Sequence, residues 1–234
     1  MAGPVATKTF KALSVLLAYP TAELAAAAPE IGAAIASEGV VAAEAGAGLA
    51  ALLAELETAD LYDLQERYVG LFDRTRKLSL HLFEHVHGES RDRGQALVDL
   101  AALYEKGGLA PATNELPDHL PLFLEYLATR PLDEARALLG DTGHILAALR
   151  ERLEKRETPY AAVFSALLSI ASGPATAIDD KSPDPAGTND LAALDAAWEE
   201  AAVTFGPGAS DGCPAERLGT RLRAAQRDMR ATTA

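Results

Sequence analysis

Only one cysteine, Cys213, occurs in the 234 residues, which excludes an intramolecular disulfide, a Cys-x-x-Cys redox pair and a thiolate zinc site. A reducing compartment is the natural home for such a chain. No apolar run approaches the roughly eighteen residues needed to cross a bilayer, so a soluble, cytoplasmic protein with no membrane insertion is expected. Lys8 and Lys11 ahead of Ala12 imitate the start of a short signal peptide, but Phe10, Leu13, Leu16 and Leu17 have the spacing of an amphipathic helix closed by Tyr19-Pro20. Convincing period-two alternation is missing, and Val203-Thr204-Phe205 is too short to build a sheet. There is no Gly-x-Ser-x-Gly elbow, no Walker loop and no Gly-x-Gly-x-x-Gly, so nucleophilic catalysis and nucleotide binding have no motif.

Positive charge is also in short supply. The chain carries 21 Lys and Arg against 34 Asp and Glu, a net charge of -13. Nucleic acid and anionic membrane would repel it at long range, whereas a cationic partner would be drawn in. Acidity of this size also serves solubility alone. Aromatics make up 6% and stand singly among leucines. Most of Phe10, Tyr62, Tyr68, Phe72, Phe83, Tyr104, Phe123 and Phe164 are expected in a core, with Phe83 and Tyr104 singled out as walls of a recognition groove.

What is present is helical periodicity. With 49% hydrophobic residues the chain can bury a sizeable core. The spacing predicts an all-α protein, with helices near 7–19, 21–36, 48–57, a helix capped by Asp60 and ending at Phe72-Asp73, one over 78–87, one capped by Ser90 and stopped at Gly107-Gly108, and four more near 118–129, 131–139, 142–155 and 159–171. Short connections suit an antiparallel bundle. Residues 1–172 form the expected core and 173–189, with Pro174, Pro183, Pro185 and Gly187, a linker. A helical tail over 190–234 carries Arg217, Arg221, Arg223, Arg227 and Arg230, and could fold back on an acidic bundle as a pseudo-substrate.

Two stretches carry chemistry. In Glu115-Leu116-Pro117-Asp118-His119-Leu120-Pro121, an acid and a histidine precede an apolar stripe of Leu120, Phe123, Leu124 and Leu127 at i, i+3, i+4 and i+7. Asp118 there either caps a helix or is an acid fixed by the helix N-terminus to meet a cation, and His119 either packs or recognises. Upstream, His81-Leu82-Phe83-Glu84-His85 has the His-x-x-Glu-His spacing of inverted zinc peptidases. On a helix His81 and His85 would lie one turn apart with Glu84 as base, and Glu154 or Glu157 as a distant third ligand. Packing or partner contact is the other use of these histidines, and it needs no metal and no cofactor.

The Glu115-x-x-Asp118-His119 core and the run from His81 to Ala96, HLFEHVHGESRDRGQA, together resemble the NarJ-type chaperones of respiratory nitrate reductase, within the wider TorD/DmsD group of helical chaperones. Similarity extends from Leu13 through the segment Leu61 to Asp73 and on to about Ile170. The resemblance implies a TorD-like helix bundle and a non-catalytic assembly chaperone without cofactor. It further implies that the chaperone binds the N-terminal segment of the nitrate reductase catalytic subunit until molybdenum cofactor is inserted, with cofactor delivery proteins as further partners. On that reading Leu78, His81, Leu82, Phe83, Glu84, His87, Tyr104, Glu115, Asp118, His119, Leu122, Phe123 and Tyr126 form the client groove. The client's apolar face would lie on its leucines and Phe83, and its cations would approach Glu84, Glu115 and Asp118. A different molybdenum oxidoreductase as client remains the alternative within the same group.

Overall fold

The structure, a computed structural model, describes residues 7–87, 92–110 and 115–171. Among the described residues there are ten α-helices: α1 (Thr7–Leu16), α2 (Ala22–Glu38), α3 (Ala43–Thr58), α4 (Leu61–Tyr68), α5 (Glu84–His87), α6 (Asp92–Lys106), α7 (Leu120–Leu127), α8 (Leu132–Asp141), α9 (Gly143–Lys155) and α10 (Ala161–Ile170). The all-α class follows. None of the described helices is long and apolar enough to cross a membrane. The expected linker over 173–189 and the arginine-bearing tail lie outside the described residues, as does Ser90.

Helix ends follow local chemistry. Thr21 accepts a bond from the Leu24 amide at 3.2 Å to open α2, and Gly39 at φ 60° closes it in the left-handed region where glycine is unstrained. Asp60 opens α4 by accepting from the Tyr62 amide at 2.8 Å. The start of α1 is capped from a distance: Glu38 accepts from the amides of Lys8 and Thr9 and from the Thr9 hydroxyl, at 3.1, 2.9 and 2.7 Å. Burial opposes the charge on Glu38, yet these bonds hold its carboxyl below the usual range.

The core forms where α1 packs on α2 and α7, α2 on α3, and α3 and α9 on α10. Leu13, Leu17, Leu52, Leu146, Leu149, Phe164 and Leu167 are wholly buried there. These positions recur at three- and four-residue spacing, the stripe a bundle helix turns inward.

Several expectations are corrected. The third helix starts at Ala43, not near 48, running through glycines that look like a separator. At Gly48 an added Cβ would stand 3.2 Å from Cβ of Ala162, so this glycine lets α3 and α10 approach closely. Tyr62 is 80% exposed and does not belong to the core. The helix expected over 78–87 is broken: a 3-10 turn spans Arg76–Leu78, non-helical chain runs to a bridge at His81, Leu82 and Phe83 form a turn, and only Glu84–His87 is α-helical. The cause lies in the motif at 118.

Candidate functional site

Segment 76–87 forms a strap that pairs with the chain entering α7. His81 and His119 form an isolated antiparallel bridge. Around it the Leu120 amide donates to the Leu80 carbonyl at 2.8 Å and the Leu82 amide to the Asp118 carbonyl at 3.0 Å. A continuous helix over 78–87 would forfeit these bonds, and they keep the stretch about His81 out of the helix.

Asp118 completes the tie. Its side chain is fully buried, and Oδ2 accepts from the Phe83 amide at 3.1 Å while Oδ1 faces His81 Nδ1 at 3.2 Å. Arg93 Nη2, from α6, stands 3.8 Å from Oδ2. Asp118 is therefore not the cap of α7. His119 occupies that position and makes no side-chain capping bond, while Pro121 near the helix start lacks an N–H that would have needed a partner. The carboxylate reaches sideways to the strap, where an amide, an imidazole and a guanidinium converge. A buried charge is tolerated when hydrogen bonds and opposite charge surround it in this way.

A partly exposed polar rim lies over that centre. Glu84 accepts from Arg93 Nη2 at 3.3 Å, with side chains 24% and 22% exposed. Glu115, more than half exposed, faces His119 Nδ1 at 4.0 Å. The rings of His81 and His119 lie 5.2 Å apart. The bond to Asp118 raises the pKa of His81 above its ordinary value despite burial, whereas burial and the neighbouring His81 push that of His119 down. His81 is thus the ring of this pair that holds a proton more readily. His85 is on the strap itself, its Nε2 donating to the Ser79 carbonyl at 2.8 Å, and burial lowers its pKa. Neutral His85 keeps its proton on Nε2, because a carbonyl can only accept.

Packed aromatics support the rim. The Tyr104 hydroxyl donates to the Pro117 carbonyl at 2.7 Å, and its ring sits 4.9 Å from that of Tyr126. Arg130 lies over the Tyr126 ring at 5.1 Å and donates to the Gly107 carbonyl at 2.8 Å. A Cβ at Gly107 would run into the Tyr126 ring, so glycine is required there for close approach.

The structure brings His81, Glu84, Glu115, Asp118 and His119 together, as expected of the two motifs. Among the described residues these side chains do not line an open groove. Leu78, Leu82, Phe83, Tyr104, Leu122, Phe123 and Tyr126 are all buried, at 9% exposure or less, so the expected groove walls are core in this conformation. Asp118 is likewise sealed from direct approach. His87 closes α5, and its side chain lies outside the described part. Sequence reasoning passed over Arg93, whose signal was a basic residue next to an acidic motif, and Leu116, an apolar residue 42% exposed in a polar loop.

The zinc arrangement is also corrected. His81 is in the bridge, not one helical turn before His85, and its Nδ1 is committed to Asp118 while His85 Nε2 is committed to a carbonyl. Among the described residues no three His, Cys, Asp or Glu side chains gather as a metal-holding group.

The pattern that defines the nitrate reductase delta subunit family matches residues 38–166, both motifs included. The chain belongs to that family. Within its range fall curated relatives of known name. The nitrate reductase molybdenum cofactor assembly chaperone NarJ of Escherichia coli (strain K12) is 50% identical over 198 residues, covering 82% of this chain and 83% of that one. A protein of the same strain, named as a probable nitrate reductase molybdenum cofactor assembly chaperone, NarW, is 46% identical over 177 residues, 74% of this chain and 76% of its own. The fold of this chain has a solved counterpart: the crystal structure of a protein described as a putative redox enzyme maturation protein from Archaeoglobus fulgidus superposes with TM-score 0.51 at 23% identity, over 69% of this chain and 91% of that one. That likeness concerns the fold.

Proposed function

We propose that this protein is a non-catalytic, cytoplasmic assembly chaperone of respiratory nitrate reductase. It binds the N-terminal segment of the catalytic subunit and keeps that subunit open to molybdenum cofactor insertion before membrane docking. The 50% identity to a chaperone of that name supports the role, and one structural observation supports the place: the Asp118-tied strap with its rim of His81, Glu84, Glu115 and His119. A basic amphipathic helix meets charge complementarity at Glu84 and Glu115 on a chain of net charge -13, and the exposed Leu116 offers the first apolar contact.

The buried walls then enter in a second step. Besides the burial of Leu78, Leu80, Leu82 and Phe83, the strap is tied by a few polar bonds, which water or a client's own groups can replace. Its displacement would uncover Leu82 and Phe83 above the α7 stripe as a helix-binding surface. Such opening costs free energy, so the client must bind the open form better by more than that cost. Cofactor delivery proteins would meet the complex afterwards.

Calorimetric titration with a peptide copying about the first fifteen residues of the host's nitrate reductase catalytic subunit tests the reading. Saturable binding that a charge-reversed peptide does not reproduce is the expected outcome. Binding only to leader peptides of other molybdenum oxidoreductases would transfer the client, and binding to none would end the proposal.

A further inference from the structure

Arg93 already occupies the acidic seat. Its guanidinium extends from the start of α6 with Nη2 at 3.3 Å from Glu84 Oε1 and 3.8 Å from Asp118 Oδ2, bridging the two carboxyl groups. Its Nε is buried without a hydrogen-bond partner, so the fork is engaged at one end only. Evenly satisfied structural arginines make several bonds in a fixed geometry. This one makes one bond at hydrogen-bond distance to Glu84 and one longer contact to Asp118, both through the same nitrogen, so charge more than fork geometry holds it there. The remaining Asp118 oxygen sites are taken by the Phe83 amide and His81.

We propose that Arg93 is an internal competitor for the client's cation. Resting on the client reading above, the inference adds a threshold to it: an incoming guanidinium gains the Glu84 carboxylate only by displacing Arg93. The displaced cation then no longer ties α6 to the strap, so client charge recognition and strap release are one event. A weakly cationic peptide lacks the means to exchange and is refused. Selection of this kind works by a repulsive and competing element as much as by attraction.

Replacing Arg93 removes the competitor while leaving Glu84 and Asp118 in place. Calorimetry of the full-length protein with the fifteen-residue client peptide should therefore give binding roughly three- to tenfold tighter for Arg93→Gln than for the unaltered protein. A peptide whose arginines are replaced by citrulline, neutral but alike in shape, should not gain, and this difference isolates the charge exchange. Arg93→Lys, which keeps the charge, should stay near the unaltered affinity. Unchanged or weaker client binding by Arg93→Gln, with its melting temperature retained, overturns the competitor role while the client reading stands. Equal gains for the arginine and citrulline peptides would also overturn it, since relief would then come from loosening alone. If Arg93→Gln fails to fold, Arg93→Lys with the peptide pair carries the test: equal loss of both peptides marks Arg93 as structural and overturns the inference. Absence of binding by every form removes the client reading itself, and the competitor with it.

Discussion

The bundle joining α1, α3, α9 and α10 and the strap over 76–87 are held together by different physics. In the bundle, side chains such as Leu149, Phe164 and Leu167 are wholly buried among leucines, and no single bond dominates. Apolar burial adds up without direction, so loss of one contact is shared among many. The strap shares that core through Leu78, Leu80, Leu82 and Phe83, but its polar ties converge on one carboxylate. Asp118 binds its Phe83 amide and His81 and draws in Arg93, while two backbone bonds flank the bridge. Such a tie is directional and can be exchanged for other polar partners. A region of the first kind suits a scaffold, and one of the second kind suits a part that opens.

Breaking the tie should have the largest effect. Asp118→Ala strands the Phe83 amide and removes the anion facing His81 and Arg93, an expected loss of about 3–5 kcal/mol as for one partner of a buried pair. Amide hydrogen exchange should rise across 79–87 and 115–119 more than in α9 and α10. Asp118→Asn, which keeps an acceptor, should cost less. Leu167→Ala is the converse cut: a loss of about 2–5 kcal/mol in denaturant unfolding, spread over the whole molecule, with the exchange of the strap relative to the bundle unchanged. Phe83→Ala belongs with this class, because at 4% exposure its removal leaves a cavity and lowers stability before any client is added.

Smaller changes sharpen the contrast. Gly107→Ala drives a methyl into the Tyr126 ring and should destabilise by about 1–3 kcal/mol in thermal unfolding, loosening the support of the rim without touching its charges. The smallest effect is that of pH. The pKa of His81 is raised, so its protonated contact with Asp118 contributes stability below about 6.5 and loses it as pH rises through the elevated value. His85 and His119 have lowered values, so their burial favours the folded state above about 6.5 and penalises it as pH falls toward those values. Imidazole resonances followed by NMR should show His81 titrating above His85 and His119. The reverse order would remove the Asp118 tie from the account.

The same comparison explains what the sequence disclosed. The helices of the bundle were legible because their stripes repeat locally, and Thr21, Asp60 and Gly39 mark ends by chemistry confined to a few residues. Leu78, Leu82, His81 and His85 keep helical spacing in the strap, and the bonds that override it come from Asp118, nearly forty positions away. The acid and histidine motif was visible as an unusual combination, but its burial was not, since nothing in the spacing says that Phe83 and Tyr104 face inward together. Arg93 escaped for the same reason: an arginine on α6 acquires its meaning only when the fold sets it against Glu84 and Asp118.

Amide hydrogen exchange of the full-length protein, with and without the fifteen-residue client peptide, tests the central claim most directly. The account predicts that peptide changes exchange at 79–87, 115–119 and the first turns of α6 and α7, while α9 and α10 stay as they are. Peptide that binds with its changes confined to other faces of the bundle, leaving the strap untouched, would contradict it.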